Sequence, residues 1–377
     1  MTDEATLLRE SVRAAFTDLS APSEVRRRMA TARGWDDKLW RRLCGELDLA
    51  GLAVPEEYGG AGFSAVELGI VFEEAGRCLL CAPLFSGAGL AAPLLLALDD
   101  AAARERYLPG ICDGSTVATV VTSDTFGTSA LDRPSVEAVE REGAAVLSGE
   151  AGYVIDGAFA DLILVPARTP EGLRVFAVDA TARGLRAIPL STLDQTRKQA
   201  RLIFDRVPAA GRIGGSDAVT AVRRAFDVAR ALLAGEQAGA AGRCLEATVE
   251  FAKARIQFGR PIGSFQAVKQ KAAEMLILVE SARSAAMTAA RSAAGRPDAP
   301  ELKQAAAIAH AYCSEAFVAV AAETIQLHGG IGFTWEHDAH LYFKRAWTGR
   351  ELLGHPEEQL EVLARSLSSA GGGVAGG

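Results

Sequence analysis

The sequence predicts an α+β protein in three consecutive parts: an N-terminal α-helical domain, a central β-sandwich or barrel-like domain and a C-terminal four-helix bundle. Three observations carry this. Apolar residues recur at helical spacing in residues 1–115, short β-rich runs parted by Gly, Pro and Asp fill 116–213, and long Ala-rich stretches without proline dominate 214–370. With 377 residues, 49% of them hydrophobic, the chain can bury two or three cores or layers.

Helical spacing is clear over 7–16, 35–49 and 65–81, with a break at 55–62, where Pro55, Gly59, Gly60 and Gly62 cluster. The β-rich runs are 116–122, 145–147, 162–166, 173–178 and 200–204. Helices are expected over 217–255, 264–294 and 301–327, the second stopped by the loop 295–300, and a last helix over 356–367. Small residues let such long helices approach closely, as a four-helix bundle requires. The Gly-rich tail 371–377 is expected to be flexible.

Composition excludes several function classes. Forty Lys and Arg against 47 Asp and Glu leave a net charge of −7, which argues against nucleic acid as a partner. No run of about 20 uninterrupted apolar residues predicts a membrane span. The acidic start Met1-Thr2-Asp3-Glu4 lacks a signal-peptide pattern, so a cytoplasmic location is expected. The six cysteines sit mostly in helical or apolar runs and read as buried, reduced thiols. Cys78 and Cys81 form a CxxC without a second pair, and the five His are scattered, so no metal is expected.

Two motifs stand at breaks between long helices. One is Arg255-Ile256-Gln257-Phe258-Gly259; the other is Gln326-Leu327-His328-Gly329-Gly330. Each joins a Gly-bearing turn to polar side chains. An Arg fork suits pyrophosphate oxygens, and paired glycines let a dinucleotide approach the backbone. The bland alternative for each alone is a surface charge and a helix-ending glycine.

With these motifs, Gly51-Leu52-Ala53-Val54-Pro55-Glu56-Glu57-Tyr58-Gly59-Gly60 and Glu73-Glu74-Ala75-Gly76-Arg77, the whole chain resembles the acyl-CoA dehydrogenase flavoenzymes. The resemblance implies FAD at a subunit interface, with the ring held by the β domain of one subunit and the ADP end by the bundle of its neighbour. It assigns Arg255, Gln257 and Phe258 to the pyrophosphate and adenine side, and Gln326, Gly329 and Gly330 to the facing wall. It further implies an acyl-CoA substrate and an electron-transfer acceptor protein. The ring half matches less well. Thr122 fits the family threonine, but the following Glu-Pro and Gly-Ser-Asp are absent. Where the family has Trp-Ile-Thr-Asn, this chain has Tyr153-Val154-Ile155-Asp156. Tyr153 keeps an aromatic face, while Ile155 has no side-chain donor.

The family's catalytic base is a glutamate in one of two places. Counted from Gly329 the first slot is Leu353; counted back from Phe258 the second is Ala229, before Arg230. Both are apolar. Three readings stay open. The base is displaced, to Glu351 first and otherwise to His355 or Glu236. Or the chain is one half of a heteromer, resembling the subunits of actinobacterial α2β2 enzymes that lack the glutamate. Or it is a homo-oligomer with other chemistry, or a non-catalytic binder. Poor ring motifs beside sound ADP motifs fit the heteromer best. Arg230, on a helix face with Phe226, Leu233 and Gln237, either lines the active site as its family counterpart does or is an exposed charge. His337, Asp338 and His340 look like ligands, but the family starts a helix here. Glu336 or Asp338 is then an N-cap, and Tyr342 and Phe343 are core.

Overall fold

The structure, a computed structural model, describes residues 3–141, 144–215, 217–295 and 301–371. Helices α1 (Asp3–Leu19), α2 (Pro22–Met29), α3 (Asp37–Arg41), α4 (Ala65–Arg77), α5 (Ala92–Ala97) and α6 (Ala101–Cys112) come first. Strands β1 (Ala118–Val120), β2 (Val136–Arg141), β3 (Ala144–Ile155), β4 (Leu162–Thr169), β5 (Gly172–Asp179), β6 (Leu185–Pro189), β7 (Gln199–Pro208) and β8 (Gly211–Ile213) follow. Then come α7 (Ala218–Ala254), the hairpin strands β9 (Ile256–Gln257) and β10 (Arg260–Pro261), α8 (Gln266–Ala293), α9 (Glu301–His328), α10 (Ala339–Glu351) and α11 (Pro356–Gly371). The predicted order of helical, β and helical parts is what the chain forms.

The chain groups into two compact units. One holds Met1–Ser23, Gly69–Leu80 and Arg230–Gly377; the other holds Glu24–Leu68 and Cys81–Ala229. The N-terminal helices are therefore shared, with α1 and most of α4 belonging to the bundle unit.

In the β unit, β6-β7-β3-β2-β4-β5-β8 form one mixed sheet, with β1 pairing parallel to β4. β4 is buried at seven of its eight positions, which explains its continuous apolar run. Strands β2, β6 and β8 lie outside the predicted runs. β6 is an exposed edge, β8 has three residues and β2 is half charged (Glu137, Glu140 and Arg141), so none carries a strong apolar signal. The predicted helix over 35–49 is shorter: Asp36 caps α3 by accepting from Leu39 N–H (2.8 Å), and a π-helical turn continues it over Arg42–Glu46. The start of α4 is capped: Ser64 donates its N–H and hydroxyl to Glu67 Oε2, and the Ser64 hydroxyl oxygen accepts from Val66 N–H. α4 stops at Arg77 rather than 81 because Leu79 turns left-handed (φ 50°) and Leu80 N–H bonds Ala75 O.

In the bundle unit, α7, α8, α9 and α10 share a core of Cys244, Met275, Val279, Phe317, Val320 and Ala346. Each fully buried Val, Met or Phe there contributes on the order of 1.5–3 kcal/mol. Tyr342 and Phe343 pack partly buried against this core, as expected. α4 and α7 touch backbone to backbone: a Cβ on Gly76 would lie 1.9 Å from Glu236 O, and one on Gly239 would lie 1.9 Å from Glu73 O. α7 and α9 run in the same direction, joined by Gln237–Ser314 (3.0 Å), Thr248–Thr324 (3.1 Å) and stacking of Phe251 on His328 (4.4 Å). The stretch Glu301–Phe333 is apolar and long enough to cross a bilayer by composition alone, but 61% of its apolar window is buried. α11 reaches Gly371; the rest of the predicted tail, and residues 296–300 of the predicted loop, lie outside the described residues.

Candidate functional site

The two glycine-bearing motifs meet at one end of the bundle. α7 closes with Arg255 N–H on Phe251 O (2.8 Å), and the β9–β10 hairpin turns through left-handed Phe258 (φ 52°) and Gly259 (φ 76°). The Phe258 ring is 92% exposed and meets Phe265 edge-on, while the Arg260 guanidinium lies 4.1 Å over Phe265. α9 ends at His328, followed by left-handed Gly329 (φ 63°). A Cβ on Gly329 or Gly330 would meet nothing within 4 Å, so the space over this backbone is open. The Phe251–His328 stack brings the two turns together, and Arg255, Gln257, Phe258, Gln326, Gly329 and Gly330 are all exposed there. A cationic fork, amide side chains, an aromatic ring and accessible glycine backbone fit the ADP half of FAD.

The neighbouring His-rich segment is built from ring contacts. His337 stands 4.5 Å from the His328 ring, and His340 stacks on Trp335 at 4.8 Å. Asp338 takes the N-cap position of α10, but the side-chain acceptor at this terminus is His337 Nδ1, bonded by Ala339 N–H (3.1 Å). Among the described residues no three His, Cys, Asp or Glu converge on a point that could hold a metal ion. Cys44, Cys81, Cys112, Cys244 and Cys313 are buried thiols outside any disulfide, and Cys78 is half-buried. Burial pushes the thiols of Cys44, Cys78, Cys244 and Cys313 up to about 12, so they are poor nucleophiles.

The ring-half residues lie together in the β unit. Ser123 donates to Gly152 O (3.1 Å), bringing buried Thr122 beside Tyr153. The pairing of β3 with β7 shifts register between Ala151 and Val154, and Tyr153 sits in that bulge with φ 54° and 43% exposure. The bulge thus offers an aromatic face. Ile155 is buried, and its carbonyl accepts the Thr119 hydroxyl (2.6 Å), so this position offers a flavin no donor. The ring half fits FAD only through Thr122 and Tyr153.

The two positions where the resemblance counts a base are apolar and enclosed. Ala229 and Leu353 are buried. Leu353 is left-handed (φ 62°), and the half-buried Arg230 donates through Nε to its carbonyl (2.9 Å), which excludes the exposed-charge alternative for Arg230. Glu351 is 59% exposed, 3.7 Å from His355 Nε2. Glu236 is buried in an ion pair with Arg345 (3.0 Å), so it does not face a substrate as a free carboxylate. The sequence did not point to His310, fully buried with Nε2 2.8 Å from Gly354 O; a lone histidine inside the apolar run of α9 was the available signal.

Residues 2–115 match the family profile for the acyl-CoA dehydrogenase N-terminal domain, and residues 219–368 match that for the C-terminal domain. The chain is 38% identical over 361 residues to the acyl-CoA dehydrogenase IpdE2 of Mycobacterium tuberculosis, covering 96% of each chain. It is 37% identical over 363 residues to the protein of that name in Mycolicibacterium smegmatis, covering 96% of this chain and 98% of that one. Among solved structures, a variant of the Tcur3481–Tcur3483 steroid ACAD superposes with a TM-score of 0.88 at 33% identity, covering 98% of this chain and 99% of that one. The ChsE4–ChsE5 complex of Mycobacterium tuberculosis gives 0.88 at 29% identity, covering 98% of each.

Proposed function

The chain belongs to the acyl-CoA dehydrogenase family, and from that premise we propose that it is one subunit of a heteromeric, FAD-dependent enzyme that dehydrogenates an acyl-CoA thioester between its α and β carbons. The observation that carries this reading is Leu353: an apolar, buried residue in a pinned turn stands where the resemblance counts a base. The second slot, Ala229, is equally inert. A homologous partner subunit then supplies the carboxylate that takes the α-proton. Similarity to the steroid ACAD and to the ChsE4–ChsE5 complex supports both the two-subunit assembly and a steroid-derived or other lipid acyl group.

FAD, when bound, supplies the acceptor for the β-hydrogen. This chain's part is to hold the cofactor. Arg255 would donate to the pyrophosphate, Gln257 and Phe258 would support the adenine side, and Gln326 with the open Gly329–Gly330 backbone would form the facing wall. Thr122 and Tyr153 line the ring side. A separate electron-transfer protein would be the electron acceptor. Glu351 carries the second reading, since its exposed carboxylate lies two residues before Leu353.

The test is the visible spectrum and mass of the chain purified alone and co-expressed with a homologous dehydrogenase subunit. A colourless single chain that turns yellow in a mixed tetramer supports the proposal. A yellow homotetramer bleached by an acyl-CoA overturns it and moves the base to Glu351.

A further inference from the structure

α9 buries one imidazole in an otherwise apolar stretch. His310 lies between Ala305 and Ala311 and is wholly enclosed. Its Nε2 stands 2.8 Å from the Gly354 carbonyl, which can only accept. Nε2 therefore carries a proton, and full burial disfavours a second one on the ring. Its Nδ1 has no hydrogen-bond partner among the described residues. A leucine would fill this space without burying an unpaired nitrogen, so packing alone does not explain the histidine. The bond to Gly354 does.

The same turn receives a second donor. Arg230, from α7, bonds the preceding carbonyl, Leu353 O, at 2.9 Å. Leu353 (φ 62°) and Gly354 (φ 99°) are successive left-handed residues, a backbone that a leucine rarely adopts. Gln359 and Glu358 crowd Gly354: a Cβ there would come within 2.8 Å of Gln359 Nε2 and 2.9 Å of Glu358 Oε2. The first turn of α11 hangs on the same segment, through Glu358 N–H and Gln359 N–H on His355 O. Glu351 lies before this turn with its side chain mostly in solvent, near His355 and Arg350.

We propose that Arg230 and His310 are positioning residues that together clamp the Leu352–His355 turn, one donor from each of two parallel helices on each of two successive carbonyls. Arg230 acts on the chain's own backbone rather than on substrate. Leu353 is presented rigidly, and Glu351 stays on the outer side. The clamp is independent of which subunit supplies the base, so its test uses neither flavin content nor turnover.

Hydrogen exchange is measured on the full chain, in whatever assembly it purifies, for His310→Leu, His310→Gln, Arg230→Ala and the Arg230→Ala/His310→Leu pair. The amides of 353–359 exchange about tenfold faster in His310→Leu, the effect of one lost hydrogen bond. Amides of α8 and the second half of α9 keep their protection. His310→Gln, which retains a donor, restores slow exchange. Arg230→Ala loosens the same amides, and the double variant adds less than the sum because both act on one turn. Unchanged turn amides in His310→Leu, no rescue by glutamine, or loosening spread evenly over the bundle would each overturn the clamp.

Discussion

Two levels of the α7–α9 pair, about 36 Å apart along α7 from Arg230 to Ala254 at 1.5 Å per residue, use their polar groups in opposite ways. Where the helices finish, Arg255, Gln257 and Gln326 point outward around glycine backbone with open space above it. Near their beginnings, Arg230 and His310 turn inward and bond carbonyls of their own chain. The same residue chemistry, an arginine in or just past α7, stays exposed at one level and bonds the fold at the other. The difference lies in whether the hydrogen bonds are already made. Donors committed to internal carbonyls hold shape, and donors left over an open backbone can take a phosphate.

The largest expected effect tests the inward-facing class at mid-bundle. Glu236→Ala removes the carboxylate from the buried Arg345 guanidinium (the two side chains are 5% and 4% exposed) and is expected to cost about 3–5 kcal/mol in denaturant unfolding. A loss below about 1 kcal/mol would show that such groups do not hold the bundle. Next comes pH. Burial, with Arg230 nearby, lowers His310 from 6.5 to about 4. Between those values the unfolded chain binds the extra proton, so the stability from neutral His310 is complete above about 6.5 and is lost as pH falls toward 4. At 1.36 kcal/mol per unit the loss is roughly 3 kcal/mol. Unfolding free energies of wild type and His310→Leu, compared at pH 7 and pH 4.5, should diverge in slope, and parallel curves would remove this contribution.

At the open end, Arg255→Ala is expected to weaken flavin binding by the assembly about 10- to 100-fold, the fold-change of a charge-assisted hydrogen bond, without changing the melting temperature of the flavin-free protein. Titration with FAD reads it, and unchanged affinity would detach Arg255 from the pyrophosphate. The smallest effect sharpens the comparison from the other side. Glu351→Gln should leave turnover of the co-expressed enzyme within about twofold of wild type, whereas a loss of the 10²–10⁴ typical of a missing general base would make Glu351 the catalytic carboxylate.

Much of the open end was legible because its signals are local. Arg255 to Gly259 and Gln326 to Gly330 are short segments at helix ends, and the left-handed glycines stand five residues after the end of α7 (Gly259) and directly after α9 (Gly329). The Ser64–Glu67 cap is equally local, and the helix begins at 65 as its spacing predicts. The clamp was not legible. Arg230 reaches across 123 residues to Leu353, and His310 across 44 to Gly354. Nor did Tyr153 announce its bulge, because the register shift that turns it left-handed arises from pairing with β7, some fifty residues later in the chain. Strands with charged or exposed faces, β2 and β6, were missed because their pairing rather than their apolarity makes them strands.

The sequence by itself determined the order of helical, β and helical parts, the places where helices must stop, and the apolar identity of Leu353 and Ala229, where the resemblance counts a base. These follow from side-chain periodicity, from glycine and proline backbone limits, and from residue identity, none of which needs a distant neighbour. Only the tertiary structure decided that Arg230 faces a carbonyl instead of solvent, that Glu236 is neutralised by Arg345, and that the two glycine turns share one end of the bundle. A hydrogen bond or ion pair depends on which remote segments are brought within about 3 Å of each other, and that approach is set by how the helices pack.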